Sequence, residues 1–277
     1  MALLNRLLLL GMPFILMACG ASTTKNVSET PSVAQETQAA STAQAAFPTV
    51  DFQGVRFTNP LPETVAMGRS VEATPPPSPD DLPGDASPAH VLFEFQPYYP
   101  QAFQENLNLM PAQLAVYSTE QFAEYEFDTE LAQLTELLKA QPDLSQQTEL
   151  PYLPLIAAGQ IFHAADTYLE FKGGSGIRYI TAYSQDVGPI TEEQLFYTFQ
   201  GLTDNGRYIS ATFPIKTANL LPTTPDSLVG SEYDAFSAQF DTYLAEIRDR
   251  ISNADPATDF TPPLTELDAL IQSLQVE

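Results

Sequence analysis

The amino-acid sequence predicts an α+β fold, an antiparallel β-sheet built on two consecutive hairpins with a long amphipathic helix packed on it. Three observations predict it. Tyr168 to Phe171 leads through Lys172-Gly173-Gly174-Ser175-Gly176 into Ile177 to Ser184, where glycines admit the positive φ of a turn. Leu195 to Thr203 meets Arg207 to Ile215 across Asp204-Asn205-Gly206, and Asn-Gly between alternating apolar runs is the strongest short-range hairpin signal. Ser231 to Ile251 then repeats Tyr233, Phe236, Phe240, Tyr243, Leu244, Ile247 and Ile251 at helical spacing.

In chain order, Arg6 precedes an apolar run, Leu7 to Met17, that is shorter than the roughly 20 residues of a membrane span. It reads as a secretion signal. The run ends Leu16-Met17-Ala18-Cys19, which resembles the lipobox of bacterial lipoproteins. The resemblance implies cleavage after residue 18 and a diacylglyceryl group, with further acylation such as palmitate, on Cys19. It also implies a cell-envelope protein anchored in the cytoplasmic or the outer membrane and facing the extracytoplasmic side. Residues 19–46, rich in Ala, Ser, Thr, Gln and Glu, read as a disordered tether.

Residues 47–277 read as a single α+β domain. Thr49 to Thr58, broken at Gly54, fits one or two short strands, and residues 74–88, with Pro75-Pro76-Pro77, form a polyproline-like loop. Asp80, Asp81 and Asp85 within that loop lack the order of an EF-hand. His90 to Gln96 and Gln113 to Tyr117 read as strands. Asp128 reads as the N-cap of a helix carrying Leu131, Leu134, Leu137 and Leu138, with Pro142 beyond its end. The proline-interrupted run Leu150 to Gly159 reads as a buried connection. Thr261-Pro262-Pro263 starts a final helix through Leu264, Leu267, Leu270, Ile271 and Leu274.

The turns predict registers. A two-residue Asn205-Gly206 turn sets Leu202 opposite Ile209, Thr198 opposite Phe213 and Phe196 opposite Ile215. Tyr197, Phe199, Tyr208, Ser210 and Thr212 then share a mixed face that could meet solvent, a helix or a ligand. A five-residue Lys172 to Gly176 loop sets Phe171 opposite Ile177. It makes Glu170 and Arg178 a cross-strand pair worth roughly 0.2–1 kcal/mol, and it sets His163 opposite Gln185.

Composition bounds the function. The 277 residues hold 11 Lys plus Arg against 35 Asp plus Glu, a formal charge of −24, which excludes nucleic acid as a direct partner because binding it relies on basic side chains. Cys19 is the one cysteine, so no intrachain disulfide forms. No H-E-x-x-H, G-x-S-x-G, Walker loop or G-x-G-x-x-G occurs, and no cofactor, metal site or catalytic residue is assigned. The Gly174 to Thr181 and Leu195 to Gly206 stretches resemble ones in secreted or lipid-anchored bacterial proteins, a resemblance that carries over no catalytic residue. Arg178 reads first as a paired strand residue. Its functional alternative is an anion-binding group beside His163 or Gln200, and Tyr197 and Tyr208 are candidate interaction residues.

Three roles follow from this reading. The first is a non-catalytic, lipid-anchored module binding a small ligand or an envelope protein. The second is an extracytoplasmic hydrolase using carboxylates, with Arg178, His163 and Gln200 in one cleft. The third is a structural lipoprotein that uses the Tyr/Phe sheet face as its contact surface.

Overall fold

The computed structural model describes residues 47–78, 80–98, 110–222 and 228–277. Strands β1 (Thr49–Phe52) and β2 (Val55–Thr58) form a hairpin turning at Gln53-Gly54. The main sheet uses β3 (Val65–Val71), β4 (His90–Gln96), β5 (Gln113–Ser118), β6 (Gly159–Phe171), β7 (Gly174–Ser184), β8 (Phe196–Thr203) and β9 (Arg207–Pro214). Their spatial order is β3-β4-β5-β9-β8-β7-β6, with every neighbour antiparallel. Short β10 (Lys216–Thr217) pairs with β11 (Phe260–Thr261), and β12 (Gln275–Val276) returns to β2. The helices are α1 (Asp128–Ala140), α2 (Ser231–Ser237), α3 (Phe240–Ser252) and α4 (Leu264–Gln272). Among the described residues no helix is long and apolar enough to cross a membrane. The signal segment 1–18, Cys19 and the tether 19–46 lie outside the described residues.

Both central hairpins form where predicted, and both registers differ from the prediction. In β8–β9 the loop holds three residues rather than two, with Gly206 at φ 79°. Leu202 pairs with Tyr208, Thr198 with Thr212 and Phe196 with Pro214. The cause is local: the Thr203 hydroxyl accepts the Arg207 N–H at 2.8 Å and closes the loop one residue earlier, a familiar three-residue hairpin with its last position left-handed. In β6–β7 the turn is Lys172-Gly173, with Gly173 at φ 83°, so Phe171 pairs with Gly174 and Glu170 with Ser175. The predicted Glu170–Arg178 pair therefore does not form, and Arg178 lies opposite Thr167. Two irregularities in β6, one at Ala165 with φ 54°, shift the ladder again and place His163 opposite Thr181, not Gln185.

Gly174 and Gly176 are strand residues rather than loop residues. A Cβ on Gly176 would lie 2.4 Å from the Gln200 carbonyl and 2.4 Å from the Phe199 ring, which also covers Gly201 across the ladder. The glycines therefore make room for aromatic rings lying over the sheet, a strand use of glycine rather than a turn use.

The sheet is buried on both faces. One face, carrying Phe93, Phe95, Tyr197, Phe199 and Phe213, packs with β1–β2 and with Leu264, Leu267, Leu270 and Ile271 of α4. The other, carrying Tyr117, Tyr179 and Tyr208, is covered by Phe122 and Phe127, by Leu134 and Leu137 of α1, and by Leu150 and Leu153. Each such aliphatic side chain contributes roughly 1.5–3 kcal/mol of burial.

The single long helix from Ser231 to Ile251 does not form. The chain breaks at Ala238-Gln239 into α2, which buries no residue, and α3, which buries Ile247 and Ile251. Its aromatic residues pack on each other, Phe236 against Tyr243 at 5.0 Å and Phe240 stacked on Tyr243 at 6.1 Å, instead of extending a stripe to the sheet. The partner of α3 is edge strand β6, not the second hairpin. Asp128 is the first helical residue of α1, whose N-cap is Phe127. The proline-rich loop closes on itself through the Thr74 N–H to the Ser87 carbonyl at 3.1 Å. Asp81 and Asp85 within it accept the N–H groups of Ser78 and Leu82.

Candidate functional site

The five candidate residues separate onto the two faces of the sheet. Arg178 and Tyr197 point to the α4 face and meet at Asp268. The guanidinium donates to both carboxylate oxygens, Nε at 3.0 Å and Nη2 at 2.9 Å, and to the Ala165 carbonyl at the β6 irregularity. The Tyr197 hydroxyl donates to the same carboxylate at 3.0 Å. A bidentate Arg–carboxylate pair with a third donor satisfies the group completely. This anchor holds α4 to β7 and β8, and it leaves no free cation for an anionic ligand.

Gln200 and Tyr208 lie on the opposite face, within a buried polar network. Gln200 Oε1 accepts the Tyr208 hydroxyl at 2.8 Å and the Leu153 N–H at 3.1 Å, while its Nε2 donates to Thr198 Oγ1 at 2.9 Å and Ser210 Oγ at 3.1 Å. Ser210 Oγ donates to the Leu153 carbonyl, Tyr152 bonds Thr212 Oγ1 at 3.0 Å, and Tyr179 donates to the Pro151 carbonyl at 2.8 Å. The network clamps the segment 151–153 to the sheet. It also explains why an apolar, proline-interrupted run can be buried without stranding its backbone groups.

His163 is on this second face too, fully buried, with Nδ1 2.9 Å from an Asp166 oxygen and Nε2 2.9 Å from the Gln147 carbonyl. Both nitrogens face acceptors, so the ring meets both only when doubly protonated, with Asp166 as its counter-ion. Arg178, His163 and Gln200 thus do not converge on one cleft. The Tyr/Phe faces are covered by the protein's own helices and loops, so neither is an open contact surface.

The cleft that the fold does form lies beside the clamped segment. It has a volume of about 190 Å³ and is lined by Glu130 and Gln133 of α1, by Glu149, Tyr152 and Gln160, and by Tyr183 of β7. Sequence distance hides it: three separate segments supply its polar groups, and none carries a motif. Glu130 stands in the first turn of α1, and its Oε2 is shut off from solvent without a hydrogen-bond partner. Burial pushes its carboxyl above the ordinary value, its own backbone N–H pulls it down, and Asp128 pushes it up further.

Gln160 fixes the floor of the cleft. Its Oε1 accepts the Leu150 N–H at 2.9 Å, and its Nε2 donates to the Leu150 carbonyl at 3.2 Å and to the Tyr183 hydroxyl oxygen at 3.1 Å. Tyr183 is thereby an acceptor toward the protein and keeps its own O–H to donate. Tyr152 and Tyr183 pack at 5.3 Å and rest on Phe196. Burial holds the Tyr183 phenol well above its ordinary value, so it stays protonated.

Glu192, read from the sequence as a solvated loop residue beside Glu193, is instead buried in a 3-10 turn, Glu192–Gln194, capped by Thr191. Among the described residues no group of three or more His, Cys, Asp or Glu is placed to hold a metal ion. No protein-family model, no curated protein and no solved structure matches the chain.

Proposed function

We propose that this chain is a lipid-anchored extracytoplasmic binding protein, held at the membrane through Cys19, that captures a small ligand in the cleft between α1 and the 149–160 segment. The observation that carries the reading is the cleft itself: it presents hydrogen-bonding groups that the protein does not use, above a rigid aromatic floor. The lipobox and the tether support the location. The polar groups that sequence reasoning singled out support the reading in another way, since each is consumed in holding an element in place.

The test is a thermal-unfolding screen of the full chain in detergent against amines, sugars, amino acids, nucleotides and peptidoglycan fragments. A ligand at about 100 times its dissociation constant stabilises the fold by roughly 2.7 kcal/mol. A shift abolished by substitutions in the cleft supports the reading. Turnover of any substrate that is lost on changing Glu130 or Glu149 overturns it in favour of a carboxylate hydrolase.

A further inference from the structure

Resting on that reading, we infer that the cleft takes a small organic amine, its ammonium group held by Glu130 and Glu149 and its carbon part lying on Tyr183. The cleft's polar inventory is one-sided. Glu130 Oε2 is an acceptor shut off from solvent with no donor facing it, and Glu149 contributes a second carboxylate at the exposed mouth. The described lining holds no Lys, Arg or His to neutralise either group. An unpaired, desolvated acceptor costs free energy until something donates to it, and an ammonium does so with charge as well as hydrogen bonds.

The remaining lining fits the same occupant. Tyr183 is half-buried, and an aromatic ring attracts a cation on its face, more strongly where water is excluded. Its hydroxyl, already accepting from Gln160, has one proton left to donate, which suits a hydroxyl or ether oxygen near the amine. A metal ion is a poorer match, because the described carboxylates number two and no third ligand stands with them. A volume of about 190 Å³ admits a few heavy atoms rather than a nucleotide or a sugar chain.

The experiment is isothermal titration of the full chain in detergent at low salt, with ethanolamine and putrescine as probes. Tetramethylammonium, glucose and sodium acetate are the comparisons. Ethanolamine or putrescine is expected to bind, and tetramethylammonium, which lacks N–H donors, to bind more weakly. Glu130→Gln keeps the shape of the side chain and removes its charge, so it should weaken amine binding by about tenfold or more, as should Glu149→Gln. Glu63→Gln, which does not line the cleft, should leave binding unchanged.

Equal loss from Glu63→Gln, or none from the Glu130→Gln and Glu149→Gln double variant, reduces the effect to the overall negative charge and overturns the inference. Binding of glucose or acetate in the cleft, without the amines, overturns the amine assignment while the binding-protein reading stands. No binding from these probes, together with no shift across the wider thermal screen, overturns both.

Discussion

Gly176 is held by contacts on both sides of its Cα. A methyl group there would lie 2.4 Å from the Gln200 carbonyl and from the Phe199 ring, and the carbonyl belongs to a neighbouring strand that cannot retreat without breaking its ladder. Gly176→Ala should therefore cost about 1–3 kcal/mol in denaturant unfolding, the range of core overpacking. Gly188→Ala, with nothing within 4 Å of the added Cβ, should change stability by less than about 0.5 kcal/mol. Equal effects from the two would refute the steric account. The same logic run on a charge concerns Glu130, whose folded carboxyl holds its proton more tightly than the unfolded chain does because it is buried. Its contribution favours folding below the ordinary carboxyl range and is lost as pH rises through the raised folded value. Glu130→Gln should then melt higher than the parent at about pH 7, and the gap should close as pH falls toward about 4. A gap that widens on acidification would show that the carboxylate is paired after all. These residue-level facts were only partly legible. A Gly-Gly-Ser-Gly run looks like a loop until the position of the Phe199 ring is known, and Glu130 looks like an ordinary first-turn acid until Tyr152 and Tyr183 are seen to close over it.

At the level of elements, local signals located the structure and non-local contacts decided its pairing. His90 to Gln96, the strand after Gln113, the helix through Leu134 and Leu137, and the last helix after Pro263 all form within a residue of where periodicity put them. Strand β3 carried no such signal: its apolar Val65 and Met67 are exposed, while Ala66 and Gly68 turn inward beneath the β1 side chain Phe52. Strands β10, β11 and β12 are two residues each and exist only through partners far away in sequence. The Ser231 to Ile251 periodicity was real, but half of it was spent on rings packing within the segment. Arg178 shows how an element-level contact replaces a local expectation. Its partner is not Glu170 on the next strand but Asp268, on a helix 90 residues further along the chain. The pair is 10% and 17% exposed, and Arg178→Met leaves Asp268 and the Ala165 carbonyl buried without a cation. The cost should be about 3–5 kcal/mol. The loss should appear first as faster amide exchange in α4, because Arg178 and Tyr197 both anchor that helix to the sheet. Arg178→Lys, which cannot chelate both oxygens, should recover only part of the stability. Full recovery with lysine would mean that charge alone, rather than bidentate geometry, holds α4.

For the whole molecule, a sheet covered on both faces leaves little of its interior surface for a partner, and a net charge of −24 keeps the exterior from associating non-specifically. Any recognition must then use a local depression, and the α1 cleft is such a place. Its three contributing segments are joined only by the fold, which is why composition, motifs and spacing pointed elsewhere. Location is a separate matter, carried by the first nineteen residues. If Cys19 is acylated, each buried methylene contributes about 0.8 kcal/mol, so two or more chains hold the protein at the membrane without a spanning helix. Wild-type protein expressed in a bacterium that processes lipoproteins should incorporate labelled palmitate, migrate at its mature size and sediment with membranes. Cys19→Ser removes the thiol that is modified, so it should take up no label and should not reach mature size. Membrane sedimentation alone would not decide the matter, because an uncleaved Leu7 to Met17 segment also holds to lipid. Label and size together do decide it: a serine variant that matures normally would mean that the segment is an ordinary secretion signal and that the binding protein works free of the membrane.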